Sequence, residues 1–260
     1  MESISELREK CQGCLHVKEA DTRYAALVAR KVSIYFTWLL LHTQISANQT
    51  TFLFIILGLI GSACFIPGTF LFSLIGALVL QVWFIFDCVD GEIARYRGTS
   101  SVTGSYFDLM AHDIVNSSLF LCLSCGVYNG TASPIAGSAF CFVFGFSAVF
   151  SLFLIKLTWL NKVRVLLIEG RHSENKDTPG EGSFELGQVS SSLGGTGSGL
   201  QRLYAKVSFL FRFPGIMNII CVAAIFERID VFLIVYGLIL PPLWIVMIYR
   251  SVTRGIVNTG

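Results

Sequence analysis

Apolar and polar residues follow one another along the chain in long blocks, and the apolar blocks have lengths suited to a lipid bilayer. A membrane-spanning helix needs about 20 mostly apolar residues. The apolar runs lie at about 49–67, 69–90, 104–128, 134–159, 213–226 and 229–250. We expect the second run to continue as a helix to about residue 97, before Gly98 turns the chain. The pattern therefore predicts an all-α integral membrane protein with six transmembrane helices.

The segment before the first run has a mixed pattern. Residues 24–42 carry Arg30 and Lys31 beside Trp38 and a group of leucines, and the segment ends in polar residues. This mixture is typical of an amphipathic helix that lies along the bilayer surface. We therefore expect residues 1–47 to form an N-terminal segment with an interfacial helix on the cytoplasmic side.

One stretch inside the following transmembrane domain, which we assign to residues 48–260, has few apolar residues. Residues 171–199 are rich in Gly, Ser and Glu, with a polar run from Ser190 to Gly199. Such a segment buries too little apolar surface to offset its chain entropy. We expect a flexible cytoplasmic loop.

Composition and charge support this assignment and orient the chain. The 260 residues are 53% hydrophobic and 14% charged, with a mean hydropathy of +0.67, so a soluble domain of this size could not bury its apolar surface. The connections at 67–69 and 128–134 contain no Lys or Arg, whereas the opposite connections contain many. By the positive-inside rule, both termini and the segment around Arg95 are expected to be cytoplasmic.

Acidic residues occur at the cytoplasmic ends of the second and third runs. Asp87 and Asp90 share one helix face, and Asp108 shares another with His112, because residues three or four apart are neighbours on a helix. Carboxylates beside hydrocarbon are unfavourable and therefore functional by default. Two such faces brought together would hold divalent cations. The alternative is a structural ion network between these acids and the neighbouring arginines.

The order of these residues resembles the signature of the CDP-alcohol phosphotransferases, D-x2-D-G-x2-A-R-x8-G-x3-D-x3-D. The residues that match in identity and spacing are Asp87, Asp90, Gly91, Ala94, Arg95, Gly104 and Asp108. One position departs, since His112 stands where the family has its last aspartate, and Asp113 follows it. A second, weaker likeness lies at 45–51, which is similar to the family's T-P-N-Q-x-T motif but lacks the proline.

The resemblance implies a function. It implies a membrane transferase that moves a phosphatidyl or phospho-alcohol group from a CDP-linked donor to an alcohol acceptor, with release of CMP, in phospholipid or related lipid biosynthesis. It also implies a homodimer, and membrane lipid as a partner. We expect no nucleic-acid partner. Residues 48–260 would then form the catalytic domain.

The expected metal ligands are the three motif aspartates. Oxygen ligands favour Mg²⁺ or Mn²⁺ over softer metals. Attack by an alcohol on the donor phosphate builds negative charge, which two cations about 3.5–4 Å apart can stabilise. We therefore expect two ions held by Asp87, Asp90 and Asp108, with His112 as a further ligand.

The resemblance also implies where the donor binds. The cytidine and diphosphate would lie over a surface of small residues, where a helix backbone can come close to a ligand. Arg95 would neutralise a phosphate there. The residues implied are Asn48, Thr51, Gly91, Ala94, Arg95 and Gly104.

His112 leaves three alternatives open. An imidazole can act as a base or as a metal ligand at neutral pH, and the family is thought to use this position for both. Alternatively, Asp113 supplies the missing acid through a local helix irregularity. The third alternative is an inactive relative that serves as a membrane scaffold. A small cation transporter is a further alternative, although its acids should lie near the middle of the bilayer.

The acceptor site is expected among basic residues near the cytoplasmic side. Lys156 lies deeper in the fourth run than the other cations and is therefore the strongest candidate for a functional role. Together with Arg164 and Arg212 it would form a cationic pocket for a phosphorylated alcohol. The alternative role of these residues is contact with lipid headgroups.

Overall fold

The computed structural model describes residues 3–12, 29–131, 133–174 and 213–253. Within these ranges the chain forms helices and no strand. The helices are α1 (Ile4–Gln12), α2 (Arg30–Leu41), α3 (Ala47–Ala63), α4 (Phe70–Arg97), α5 (Val102–Asn129), α6 (Phe140–Glu174), α7 (Phe213–Ile225) and α8 (Ile229–Thr253). The all-helical class predicted from the apolar runs is confirmed for this part of the chain.

Among the residues that the structure describes, four helices are long and apolar enough to cross a membrane. They are α4, α5, the Phe140–Val165 part of α6, and α8. The apolar runs that correspond to α3 and α7 form shorter helices, Ala47–Ala63 and Gly215–Ile225. Four apolar helices of this length indicate a membrane-embedded protein.

Local signals explain where the helices near the acidic motif begin and end. Ser46 and Gln49 form a capping box at the start of α3, in which each side chain bonds the other residue's backbone N–H. Gly98 ends α4 with a φ of 64°, a left-handed conformation that glycine adopts without strain. The Ser101 hydroxyl then accepts a hydrogen bond from Gly104 N at 3.0 Å and begins α5.

The packing places α3 between the two helices of the motif. Helix α3 packs against both α4 and α5, while α4 also contacts α1, α2 and α7. A Cβ atom at Gly58 of α3 would lie 2.6 Å from Val115 Cγ2 and 2.8 Å from Trp83 Nε1. Only glycine therefore allows this close approach. Residues near the end of α4 and the start of α5 lie beside the N-terminus of α3.

The predicted interfacial helix and the predicted loop are each only partly covered by the described residues. Helix α2 covers most of the predicted interfacial segment, but residues 24–28 lie outside the described residues. Helix α6 continues to Glu174, so the predicted loop does not begin at residue 171. The rest of that loop, 175–199, also lies outside the described part.

Candidate active site

His112 joins the two acidic faces of the motif. Its Nε2 atom lies 2.9 Å from Asp87 Oδ1 on α4 and 3.4 Å from Asp108 Oδ1 on its own helix. One ligand atom from each of these three residues falls within 4.8 Å of the others. The predicted convergence of Asp87 and Asp108 is therefore present, and His112 lies between them.

Asp90 lies at the same site but has its own hydrogen-bond partner. The residue is 8% exposed, and Thr51 Oγ1 on α3 donates a hydrogen bond to Asp90 Oδ2 at 2.8 Å. The negative charges of Asp87 and Asp108 also interact electrostatically with the Asp90 carboxylate. Asp90 thus lies beside the three-residue group, and the Thr51 hydroxyl fixes one of its oxygens.

The donor atoms of this site fit a divalent cation. Asp108 Oδ1 is buried and makes no hydrogen bond of normal geometry within the described residues. A buried carboxylate oxygen without such a bond is unfavourable unless a positive charge is nearby. The carboxylate oxygens favour Mg²⁺ or Mn²⁺, whereas the imidazole nitrogen favours a more nitrogen-tolerant ion such as Mn²⁺ or Zn²⁺. Asp87, Asp108 and His112 could therefore hold a cation.

Aromatic side chains hold the His112 ring in place. The Trp83 ring meets it edge-on at 5.6 Å between centroids, and the Phe54 ring lies 6.0 Å away. Trp83 and Phe54 are themselves completely buried. The imidazole therefore sits against a rigid apolar wall and presents its Nε2 edge to the carboxylates.

Asp113 points away from the cluster. Its carboxylate forms an ion pair with the Lys156 ammonium of α6. Asp113 follows His112 directly, and consecutive residues on a helix face directions about 100° apart, which explains the separation. Lys156, which we expected at the acceptor site, is thus the partner of Asp113, whereas Arg164 is exposed on α6 and Arg212 lies outside the described residues.

The residues predicted to bind the donor lie near the start of α3, the end of α4 and the start of α5. A Cβ atom at Gly91 would lie 3.3 Å from Arg95 Nη1, so the guanidinium covers the glycine. A Cβ atom at Gly104 would lie 3.5 Å from Asn48 Oδ1. Ala94 is half-buried one turn after Asp90. These distances place Gly91 beside Arg95 and Gly104 beside Asn48, and the binding of CDP by the six residues stays a prediction.

Arg95 of the motif and the nearby Arg97 donate hydrogen bonds to backbone carbonyls and not to the acids. Arg95 Nε donates to Cys11 O at 2.7 Å, and Arg97 donates to Ile45 O and Thr43 O at 2.6 and 2.9 Å. Within the described ranges, neither arginine pairs with a motif aspartate. This geometry does not favour the structural ion network that we considered from the sequence.

Sequence reasoning missed Glu92. This carboxylate is 1% exposed and lies on the opposite side of α4 from the metal-ligand candidates, where it contacts α1 and α2. Glu92 stands at an unspecified position of the motif. Its partners come from segments up to 80 residues away, so no local pattern could have identified it.

Comparison with known proteins agrees with the motif. Residues 44–169, just under half of the chain, match the family model described as CDP-alcohol phosphatidyltransferase. No curated protein matches the sequence. The matched region begins just before α3 and ends within α6. It contains Asp87, Asp90, Asp108 and His112. The resemblance seen in the motif is confirmed.

Proposed function

We infer from the CDP-alcohol phosphatidyltransferase domain at residues 44–169 that this protein is a membrane enzyme with a cytoplasmic active site. The family is a phosphotransferase family that transfers phosphatidyl groups from a CDP-alcohol to an acceptor in lipid biosynthesis. The observation that carries the site assignment is the convergence of Asp87, Asp108 and His112 within 4.8 Å. These groups would provide ligands for a divalent cation, and the cation would supply the positive charge that a diphosphate donor needs.

The proposed metal site uses four side chains. Asp87, Asp90, Asp108 and His112 would hold one or two divalent cations, with Mg²⁺ and Mn²⁺ as the preferred ions. A bound cation supplies positive charge that stabilises both the attacking and the leaving oxygens. The Thr51 hydroxyl keeps the Asp90 carboxylate oriented toward this site.

The proposed donor site lies beside the metal site. Arg95 would neutralise one phosphate of the CDP group, because its guanidinium lies over Gly91 next to the carboxylates. Asn48 and Gly104 form the neighbouring part of the surface. The absence of bulky side chains at Gly91 and Gly104 lets the diphosphate approach the helix backbones.

The alternative proposed role of His112, in place of metal binding, is to take the proton from the acceptor hydroxyl, because the one Nε2 lone pair cannot do both. A positioned imidazole is a suitable base at neutral pH. The Asp87 and Asp108 carboxylates, at 2.9 and 3.4 Å, would stabilise the imidazolium that forms. Asp113 is the second candidate for this role, but its pairing with Lys156 favours a structural part.

The proposed membrane arrangement extends beyond the four long apolar helices. Helices α3 and α7 would complete six spans, with α2 along the cytoplasmic surface and the protein assembled as a homodimer. Arg164 and Arg212 would contact a phosphorylated acceptor or lipid headgroups. The positions of the acids near one end of α4 and α5 support an enzyme more than a cation transporter.

The decisive experiment measures CMP release from a CDP-linked lipid by the protein reconstituted in vesicles. A panel of alcohols, including phosphorylated ones, is supplied with Mg²⁺, Mn²⁺ or a chelator. Metal-dependent CMP release with one alcohol supports the transferase. Metal-dependent cation flux without CMP release would indicate a transporter, and neither activity would indicate a scaffold.

A further inference from the structure

Glu92 forms a buried junction between three helices. Its carboxylate accepts hydrogen bonds from Gln12 Nε2 of α1 at 2.7 Å, from Ser33 Oγ of α2 at 2.6 Å and from Thr37 Oγ1 of α2 at 2.5 Å. Ser33 and Thr37 are completely buried. Each partner is a neutral donor. The carboxylate therefore depends on α1 and α2 for its hydrogen bonds.

This dependence couples the N-terminal helices to α4. A buried carboxylate that loses its donors is strongly unfavourable, while hydrogen bonds to an ionised acceptor are about twice as strong as neutral ones. Apolar contacts strengthen the same junction, since Leu7, Cys11 and Ile34 form a small buried cluster between α1 and α2. Helices α1 and α2 are thus held on α4 by polar and apolar contacts together.

The junction reaches the proposed donor site through Cys11. The Cys11 carbonyl is the last-turn acceptor on α1 that receives the hydrogen bond from Arg95 Nε. With Nε bonded in this way, the terminal nitrogens of Arg95 lie against Gly91, 3.3 and 3.5 Å from the position of a Cβ atom. Release of α1 would remove the contact that sets the direction of the guanidinium.

We propose that Glu92 is a positioning residue that docks α1 and α2 on α4 and, through the Cys11 carbonyl, aims Arg95 at the diphosphate of a nucleoside-diphosphate donor. The inference rests on the proposed function of the neighbouring site. It adds that residues before the matched family domain determine donor affinity. Glu92 itself touches neither the donor nor the metal.

The test combines donor kinetics with the reactivity of a buried thiol. Cys11 is 0% exposed, so undocking of α1 should make it available to a maleimide, with the labelled peptide identified by mass spectrometry. For Glu92→Ala we expect Cys11 labelling to rise about tenfold and KM for the CDP donor to rise about tenfold or more, with kcat within about threefold of wild type. Glu9→Gln, which changes an exposed acid on α1, is the matched control and should leave both readouts unchanged.

Milder variants keep the inference testable if the Glu92→Ala protein does not fold. Thr37→Val removes one donor at nearly constant volume and should raise both readouts in the same direction, by less than Glu92→Ala. Glu92→Gln keeps one acceptor oxygen and should restore part of the donor affinity. If Glu92 acts through Arg95, the double variant Glu92→Ala/Arg95→Ala should have a donor KM no higher than Arg95→Ala alone.

The outcomes separate this inference from the proposed function. If the wild type releases no CMP, the proposed function fails, while Cys11 labelling still reports whether Glu92 docks α1. If the wild type is active and Glu92→Ala exposes Cys11 without raising the donor KM, the junction is structural and the inference is overturned. Additive effects of Glu92→Ala and Arg95→Ala would overturn it as well.

Discussion

Replacing His112 tests the departure of this chain from its family motif. His112→Ala removes a side chain that contacts both Asp87, at 2.9 Å, and Asp108, at 3.4 Å. Loss of a general base lowers turnover by about 10²- to 10⁴-fold. At about 1.4 kcal/mol per tenfold change, this corresponds to about 3–6 kcal/mol of activation free energy. We expect the variant to fall within that range, because no other described side chain bridges the two carboxylates.

The assay is the initial rate of CMP release from a CDP-linked lipid, measured as a function of Mn²⁺ and Mg²⁺ concentration. His112→Asp should restore substantial activity, since it recreates the family's last aspartate at a position one turn beyond Asp108. If His112 acts as a metal ligand, high metal concentration should recover part of the activity of His112→Ala. If it acts as a base, the loss should persist at saturating metal.

The control is Asp113→Ala. Asp113 pairs with Lys156 and faces away from the cluster, so we expect lower thermal stability but turnover within about tenfold of wild type. Asp113→Asn combined with Lys156→Met should recover part of the stability, because it removes both charges. Near-normal CMP release by His112→Ala together with abolished release by Asp113→Ala would refute the reasoning and assign the role to Asp113.

Three further predictions concern the metal, the topology and the packing. In detergent, Mn²⁺ should raise the unfolding temperature of the wild type but not of Asp108→Asn, and an equal shift in both would count against the metal site. In sealed vesicles, Lys176 and Lys206 should be labelled only from the cytoplasmic side, whereas labelling from the opposite side would contradict the topology. Gly126→Ala should destabilise the fold by about 1–3 kcal/mol in thermal unfolding, because its Cβ would lie 2.1 Å from Phe65 O. An unchanged unfolding temperature would show that the α3 and α5 ends do not pack this closely.

Local patterns in the chain were sufficient to predict the helices and the composition of the site. Long apolar runs predicted the all-helical class, because the thickness of the hydrocarbon core sets the length of a spanning helix. Spacings of three and four residues placed Asp87 with Asp90, and Asp108 with His112, because helix geometry is periodic. Helix length was less predictable, since the run at 49–67 produced only a helix from Ala47 to Ala63.

Contacts between distant segments could not be read from those patterns. Asp113 and His112 are adjacent in the chain, yet Asp113 pairs with Lys156 of α6 while His112 contacts Asp87 of α4, because consecutive helix residues point about 100° apart. The sequence around Glu92 gave no sign that this carboxylate would be buried between helices.

The sequence by itself determined which residues are candidates for the chemistry and which helix face each one occupies, since both follow from the motif and the helical period. Only the tertiary structure decided their partners. Helix packing brings α1 and α2 to Glu92, and α3 to Asp90 through Thr51. The physical reason is that the period of one helix specifies a direction for each side chain, whereas the neighbour met in that direction depends on how all the helices pack together.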